Sequence, residues 1–401
     1  MSYVERGTSA VIDHDDAVAK IGDLAAAAGL RRIHVFSWRD LADVEAGGSE
    51  VHAANVARLW AEAGLEVTIR TSYAQGQPKT VMRDGYRVVR KAGRYLVFPR
   101  SVAAELAGRM GPRDALVEYW NGMPFFSPIW ERNPSIVVLH HVHAEMWKMV
   151  LGDDNPKLAA AGEYLERAMA PLLYRRSRIV TLSESSKVDI VEQLRLKPER
   201  IDICLPGLDP RFSPGGKKAK RPLVVAVGRL VPVKRYDLLM AACQEARTRL
   251  PDLELVIIGD GYERPTLTDL VRELDAESWV TFAGFLRDAE VVDLYRKAWI
   301  VASASAREGW GMALTEAAAC GTPAVATRIP GHTDAVRDGV SGILTDETAE
   351  ALAGALVEVL GDEKRRRELT AGALARAAEL SWENTATGMM RALAGEAIRR
   401  R

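Results

Sequence analysis

The chain has 401 residues, 48% of them apolar, with 54 Lys and Arg balanced by 54 Asp and Glu. That length suits two domains, each large enough for its own core, and the charge balance argues against nucleic acid or bulk membrane attraction as the basis of function. Cys204, Cys243 and Cys320 are scattered among apolar neighbours and form neither a disulfide framework nor a CxxC metal pair, which suits buried thiols in a reducing compartment.

The first residues, MSYVERGTSAVIDHDD, are charged and lack the apolar region of a signal peptide. No apolar run approaches the roughly 20 residues that span a bilayer. The expected location is cytoplasmic, at most at the inner face of a membrane. Locally basic stretches at RYLVFPR (94–100), LLYRRSR (172–178) and the terminal RRR are the places where a surface contact would be sought, and solvated faces explain them as well.

In chain order, IGDLAAAAGL (21–30) predicts a short helix and RIHVFSW (32–38) a buried strand. EAGGSE (45–50) is a Gly-rich turn opening a helix over 51–64, whose apolar Val51, Ala54, Val56, Leu59 and Ala63 make one stripe. Strands follow at 66–71, 114–120, 135–140 and 178–183, the last two separated by a helical segment over 158–177. GLDPRFSPGGKKAKRP (207–222) has little to bury and reads as a linker. The alternation restarts with strands at 222–230, 253–259, 278–284, 299–305, 323–327 and 341–345, and the tail from about 349 is helical. Helix-length segments between short apolar strands imply crossovers and parallel sheets. The expectation is an α/β chain with two doubly wound domains flanking a cleft.

In such sheets ligands bind beyond the carboxyl ends of the strands. GGSE (47–50) places glycine backbone at a helix N-terminus, suited to an anion, although a capped tight turn explains it equally. In VGRLVPVKR (227–235), Arg229 and Lys234 follow a strand and form a candidate diphosphate clamp. IIGDG (257–261) brings Gly259 and Gly261 to another strand end. LHHVHAE (139–145) leaves His140 at a strand end; His141, His143 and Glu145 alternate as metal ligands would. EGWGMALTEA (308–317) sets Glu308 just past a strand, with Gly311 to Leu314 as the first turn of a helix whose free N–H groups suit a phosphate and Glu316 one turn further on.

EGWGMALTE closely resembles the E-x7-E signature of retaining glycosyltransferases with the GT-B fold, and the order of GGSE, His140, TLSESSK, VGRLVPVKRYDLL, IIGDG, FAGF, CGTPAVAT, DGVSGIL and LSW resembles family 4 of those enzymes over almost the whole chain. The resemblance implies a GT-B fold of two Rossmann-like domains: an N-terminal acceptor-binding domain (1–206), a linker (207–221), a donor-binding domain (222–380) and a final helix (381–401) crossing back to the first. It implies that Arg229, Lys234 and the backbone near Gly311, Met312, Ala313 and Leu314 hold a donor diphosphate, and that Glu316 binds the ribose. Glu308 would contact the donor sugar. The turn at Gly259 and Gly261, with Phe285, would frame the base. Gly48 would admit phosphate and acceptor, and His140 would contact the transferred sugar. The family normally needs no metal, and its front-face displacement retains the anomeric configuration. Catalysis would rest on His140, Glu308, Arg229 and Lys234.

Tyr119, Trp120, Asn121 and Trp147 stand where an acceptor could dock, with 73–113 and 140–157 setting its choice. The expected partners are a nucleotide-sugar donor, UDP- or GDP-linked, and an acceptor that is a small molecule, natural product, lipid or glycan. The sequence departs from the family pattern at LPGLD (205–209) and at Asp334, neither of which touches the diphosphate or ribose set. A glycoside hydrolase would also pair carboxylates but would need no diphosphate clamp. A sugar-nucleotide epimerase or a non-enzymatic nucleotide-sugar binder would share the donor site. A Rossmann dehydrogenase would need G-x-G-x-x-G after a first strand, which is absent.

Overall fold

The computed structural model describes residues 11–142, 160 and 162–401. Within these the chain forms two compact units, one running to Gly207 and completed by Ser381–Arg401, the other spanning Leu208–Leu380. The chain therefore passes between units twice. No described helix is long and apolar enough to cross a membrane.

The N-terminal unit is built on strands β1 (Arg32–Phe36), β2 (Glu66–Thr71), β3 (Thr80–Arg83), β4 (Tyr86–Arg90), β5 (Ala115–Tyr119), β6 (Ser135–Val138), β7 (Arg178–Thr181) and β8 (Ile201–Ile203). Their order is β3-β4-β2-β1-β5-β6-β7-β8. All pairs are parallel except β3 with β4. That hairpin is absent from the sequence reading, although its signal is an Asp-Gly pair: Asp84 and Gly85 both take positive φ, 44° and 82°, as a two-residue turn requires. Helices α1 (His14–Ala27), α2 (Gly48–Glu62), α3 (Val97–Leu106) and α4 (Glu184–Leu194) flank the sheet. The predicted helix over 158–177 is, in its described part, helical over 162–173, with a π turn at Leu165–Met169 inside it.

The C-terminal unit carries β9 (Leu223–Val227), β10 (Glu254–Ile258), β11 (Val280–Gly284), β12 (Ile300–Ser303), β13 (Ala324–Thr327) and β14 (Gly342–Thr345). The order is β11-β10-β9-β12-β13-β14, with every pair parallel. Crossing helices are α5 (Tyr236–Arg247), α6 (Arg264–Glu273), α7 (Asp288–Lys297), α8 (Met312–Ala319), α9 (Ala349–Gly361) and α10 (Glu363–Ala377). Strands buried on both faces need continuous apolar runs, and β9, β10 and β12 supply them to a core with Leu239, Met240, Leu352 and Leu356.

One detail departs from the sequence reading. The segment read as a linker is tied to the C-terminal unit: Lys218 Nζ donates to Ala298 O (2.8 Å), Gly321 O (3.1 Å) and Thr322 Oγ1 (2.7 Å). Those carbonyls close helices α7 and α8, where a cation is favoured. The helical tail breaks at Ser381, whose hydroxyl caps the last helix, α11 (Trp382–Arg400), by accepting from Asn384 N–H at 3.1 Å. Helix α11 packs in the N-terminal unit: Trp60 Nε1 donates to Ala386 O at 3.0 Å, and Thr385 Oγ1 to Leu205 O at 2.6 Å.

Candidate functional site

The C-terminal sheet changes direction of winding between β9 and β12, neighbours in space but separated in sequence by two other strands. Loops diverge at such a switch point, and ligands of open α/β sheets bind beyond the strand ends there. The loop after β9 carries Gly228, Arg229 and Lys234; the loop after β12 carries Ser305, Glu308 and Gly311. Lys234 Nζ donates to Glu308 Oε1, and Ser305 Oγ donates to the same oxygen at 3.0 Å. Burial opposes ionisation of Glu308, but the charges of Lys234 and His332 and the two hydrogen bonds outweigh it, so its carboxyl is held below the usual range.

Gly311, at φ 95°, is the N-cap of α8, a left-handed position that favours glycine. Helix α8 therefore starts at the mouth of the β12 loop with Met312 and Ala313 at its head. The Leu314 N–H donates to Gly311 O at 3.0 Å and the Leu314 side chain is buried, so its role is to close the turn. Glu316 follows, and Tyr295 on α7 donates its hydroxyl to Glu316 Oε2 at 3.1 Å. Burial pushes the Glu316 carboxyl up to about 7, against the lowering effect of that hydrogen bond.

The glycines of IIGDG have a packing reason. A Cβ on Gly259 would lie 2.1 Å from Gly228 O, and one on Gly261 would lie 2.3 Å from Leu230 O. The two strand-end loops are stapled through Gly228 N–H to Ile258 O and Leu230 N–H to Asp260 O, each 3.0 Å. This positions Arg229, which is exposed. Phe285, 70% exposed, and Tyr262, 63% exposed, stand as aromatic faces beside these loops.

His332 was not singled out in the sequence. It is fully buried, its Nδ1–H donates to Thr327 O at 2.9 Å, and its Nε2 has no partner. A Cβ on Gly311 would meet its Cδ2 at 3.1 Å, so the ring backs the loop from Glu308 to Gly311. Nothing in PGHTDAV signals this, because burial of a histidine is a tertiary property.

In the N-terminal unit the switch point lies between β1 and β5. Gly48 begins α2, and Glu50 caps it backwards by accepting from Gly47 N–H at 2.9 Å. Asn121 Nδ2 donates to Ser49 Oγ at 2.8 Å, tying the loops after β1 and β5 together. His140 lies after β6, half-buried, its ring 4.9 Å from His52 in an edge arrangement. His52 is buried, shares a 2.9 Å hydrogen bond with the Tyr119 hydroxyl, and burial lowers its pKa to about 3. His52, two residues after GGSE, is a second residue the sequence reading passed over.

The structure corrects two acceptor residues. Tyr119 and Trp120 are each 2% exposed. Tyr119 is engaged with His52, while the Trp120 ring packs on Tyr174 at 4.8 Å and donates its N–H to Gly122 O at 2.9 Å. Both rings are enclosed by their neighbours, whereas Asn121 is partly exposed. Trp147, His143 and Glu145 lie outside the described residues.

Two family models match the chain: glycosyltransferase family 4 over residues 46–212 and glycosyl transferases group 1 over residues 210–376. Among curated relatives, a D-inositol 3-phosphate glycosyltransferase of Salinispora arenicola is 30% identical over 403 positions, covering 88% of each chain. One of Segniliparus rotundus is 28% identical, covering 90% of this chain and 88% of its own. Among solved structures, a sucrose-phosphate synthase from Thermosynechococcus elongatus superposes with TM-score 0.77 at 21% identity, over 90% of this chain and 97% of its own. The glycosyltransferase WaaG, involved in lipopolysaccharide biosynthesis, gives 0.71 at 19% identity, over 89% and 99%. Anabaena HepE, in complex with UDP and glucose, gives 0.68 at 18% identity, over 90% and 98%. The fold is GT-B, and the chain belongs to glycosyltransferase family 4. It is an enzyme of the glycosyltransferase class.

Proposed function

We propose that this enzyme transfers a sugar from a nucleoside-diphosphate sugar to an acceptor hydroxyl with retention of configuration and without a metal. The observation that carries the reading is the meeting, at the β9–β12 switch point, of a lysine, a carboxylate and a glycine-capped helix N-terminus. A departing diphosphate gains negative charge as the bond from the sugar C1 to oxygen breaks. Lys234, Arg229 and the head of α8 would stabilise that charge where it develops. Glu308, ionised by Lys234, would accept from hydroxyls of the donor sugar, and Glu316 from those of the ribose. Phe285 would pack on the base. His140 is assigned to the transferred sugar. A diphosphate oxygen would take the acceptor proton in a front-face displacement.

The HepE structures with UDP and UDP-glucose put UDP first among donor bases to try, with GDP next. The relatives named D-inositol 3-phosphate glycosyltransferase put a phosphorylated cyclitol first among acceptors. Lipids, natural products and glycans follow. A thermal-shift panel of UDP, GDP, ADP, CDP and dTDP on wild type and Glu316→Ala tests the donor site. Ligand at a hundred times Kd adds about 2.7 kcal/mol. One nucleotide should stabilise wild type and lose its effect in the variant. A panel in which no nucleotide stabilises the protein removes the reading.

A further inference from the structure

Glu316 needs a fixed orientation to bind a ribose, because its carboxylate must face two neighbouring hydroxyls at once. A glutamate has three rotatable torsions, and ordering them costs free energy unless a partner holds the group beforehand. The structure supplies that partner in Tyr295. The tyrosine is fully buried on α7, and its hydroxyl donates to Glu316 Oε2 at 3.1 Å. Its ring packs on Phe212 at 6.0 Å between centroids, and its carbonyl accepts from Thr322 Oγ1 at 2.5 Å. Thr322 follows the far end of α8, so Tyr295 is anchored at the helix's C-terminal side and reaches back to a residue in its middle. Burial, together with the charge of Glu316, holds the Tyr295 hydroxyl well above its usual pKa, so it stays a proton donor.

We propose that Tyr295 is a positioning residue for the nucleotide: its hydroxyl occupies one oxygen of Glu316 and turns the other toward the ribose. This rests on the donor-site reading above. A carboxylate has about four lone-pair sites and a phenol one proton, so Tyr295 leaves acceptor capacity for a ligand. Glu316 keeps part of its surface in solvent, as that requires. The other titratable groups around it are Asp209 and Arg211, from the segment before β9, and Cys320, at the end of its own helix. Asp209 and Arg211 act in opposite directions, which leaves the Tyr295 hydrogen bond as the leading influence favouring the ionised acid.

The test is titration calorimetry of wild type, Tyr295→Phe and Glu316→Gln between pH 5.5 and 9. The probes are UDP-glucose, GDP-glucose, ADP-glucose and dTDP-glucose, whose diphosphate diesters do not titrate in that range. Wild-type affinity should rise through the Glu316 midpoint, about 7, because only the carboxylate accepts both hydroxyls. Tyr295→Phe should move that midpoint upward. A rise of one unit weakens binding roughly five-fold at pH 7, with recovery by pH 9. Glu316→Gln should bind weakly with no such titration. Tyr295→Leu, which also removes the hydroxyl, should show the same upward movement and serves if Tyr295→Phe is too unstable to titrate. A loss in Tyr295→Phe that is equal at every pH, or no loss at all, overturns the proposal and leaves the donor site standing. Unchanged binding in Glu316→Gln, or no binding of any probe by wild type, removes the donor-site reading and the proposal with it.

Discussion

Gly259→Ala perturbs the spacing on which the donor loops depend. The new methyl would lie 2.1 Å from Gly228 O, 0.9 Å inside the 3.0 Å that real contacts respect, and 2.9 Å from Gly228 C. Both are backbone atoms, so no side-chain rotation relieves the clash. Gly259 also sits at φ 123°, which a side chain strains by about 1–3 kcal/mol. Overpacking adds about 1–3 kcal/mol. A net loss of about 3–5 kcal/mol is expected. The C-terminal unit runs from Leu208 to Leu380, so 380 − 208 + 1 = 173 residues. For that size, the loss lowers Tm by roughly 6–20 °C. Differential scanning calorimetry reads the shift. Nucleotide affinity should fall at least ten-fold, since the loop carrying Arg229 must move. The matched control is Gly354→Ala on α9, where a Cβ meets nothing within 4 Å; there a gain of about 0.5–1 kcal/mol is expected. A Gly259→Ala protein as stable as wild type, with unaltered nucleotide binding, would refute the claim that these two loops are held at fixed distance.

Other expectations follow from the same geometry. Lys234→Ala leaves Glu308 without its cation; turnover should fall by about 10²–10³, and the Glu308 carboxyl should titrate at higher pH in the variant, which carboxylate NMR would detect. Folding stability should decline as pH falls below 6.5, because unfolded His52 takes a proton there while the buried ring resists one down to about 3. Its contribution approaches about 1.4 kcal/mol per pH unit, and urea titrations of wild type and His52→Gln should differ by that slope. Burial raises the thiols of Cys204 and Cys243 to about 12 and of Cys320 to about 11. Native protein at pH 8 should therefore leave DTNB unreacted until denaturant is added, and prompt reaction of one thiol would show that its burial is incomplete.

Much of this protein is legible in one dimension. Runs such as LVVAV and LVII are apolar at every position because parallel strands are covered on both faces, and composition alone records that. Gly311 and Glu308 could be placed at a strand end and a helix start because those transitions are local. Local signals can also be overlooked, as the Asp84–Gly85 hairpin turn was.

What only the tertiary structure decided is which strand ends meet. β9 and β12 are neighbours through long-range pairing, and no periodicity in either segment encodes the other's position. The Lys234–Glu308 ion pair follows from that pairing, the buried His332 behind Gly311 from the pairing of β12 with β13, and the Tyr295 hydroxyl on Glu316 from the packing of α7 beside α8. Tyr119 and Trp120 show the converse: by type and position they suit a docking surface, yet the packing of α2 and the helical turn before β7 covers them. A sequence sets how apolar and how regular each segment is; burial and partnership depend on atoms contributed from elsewhere in the chain.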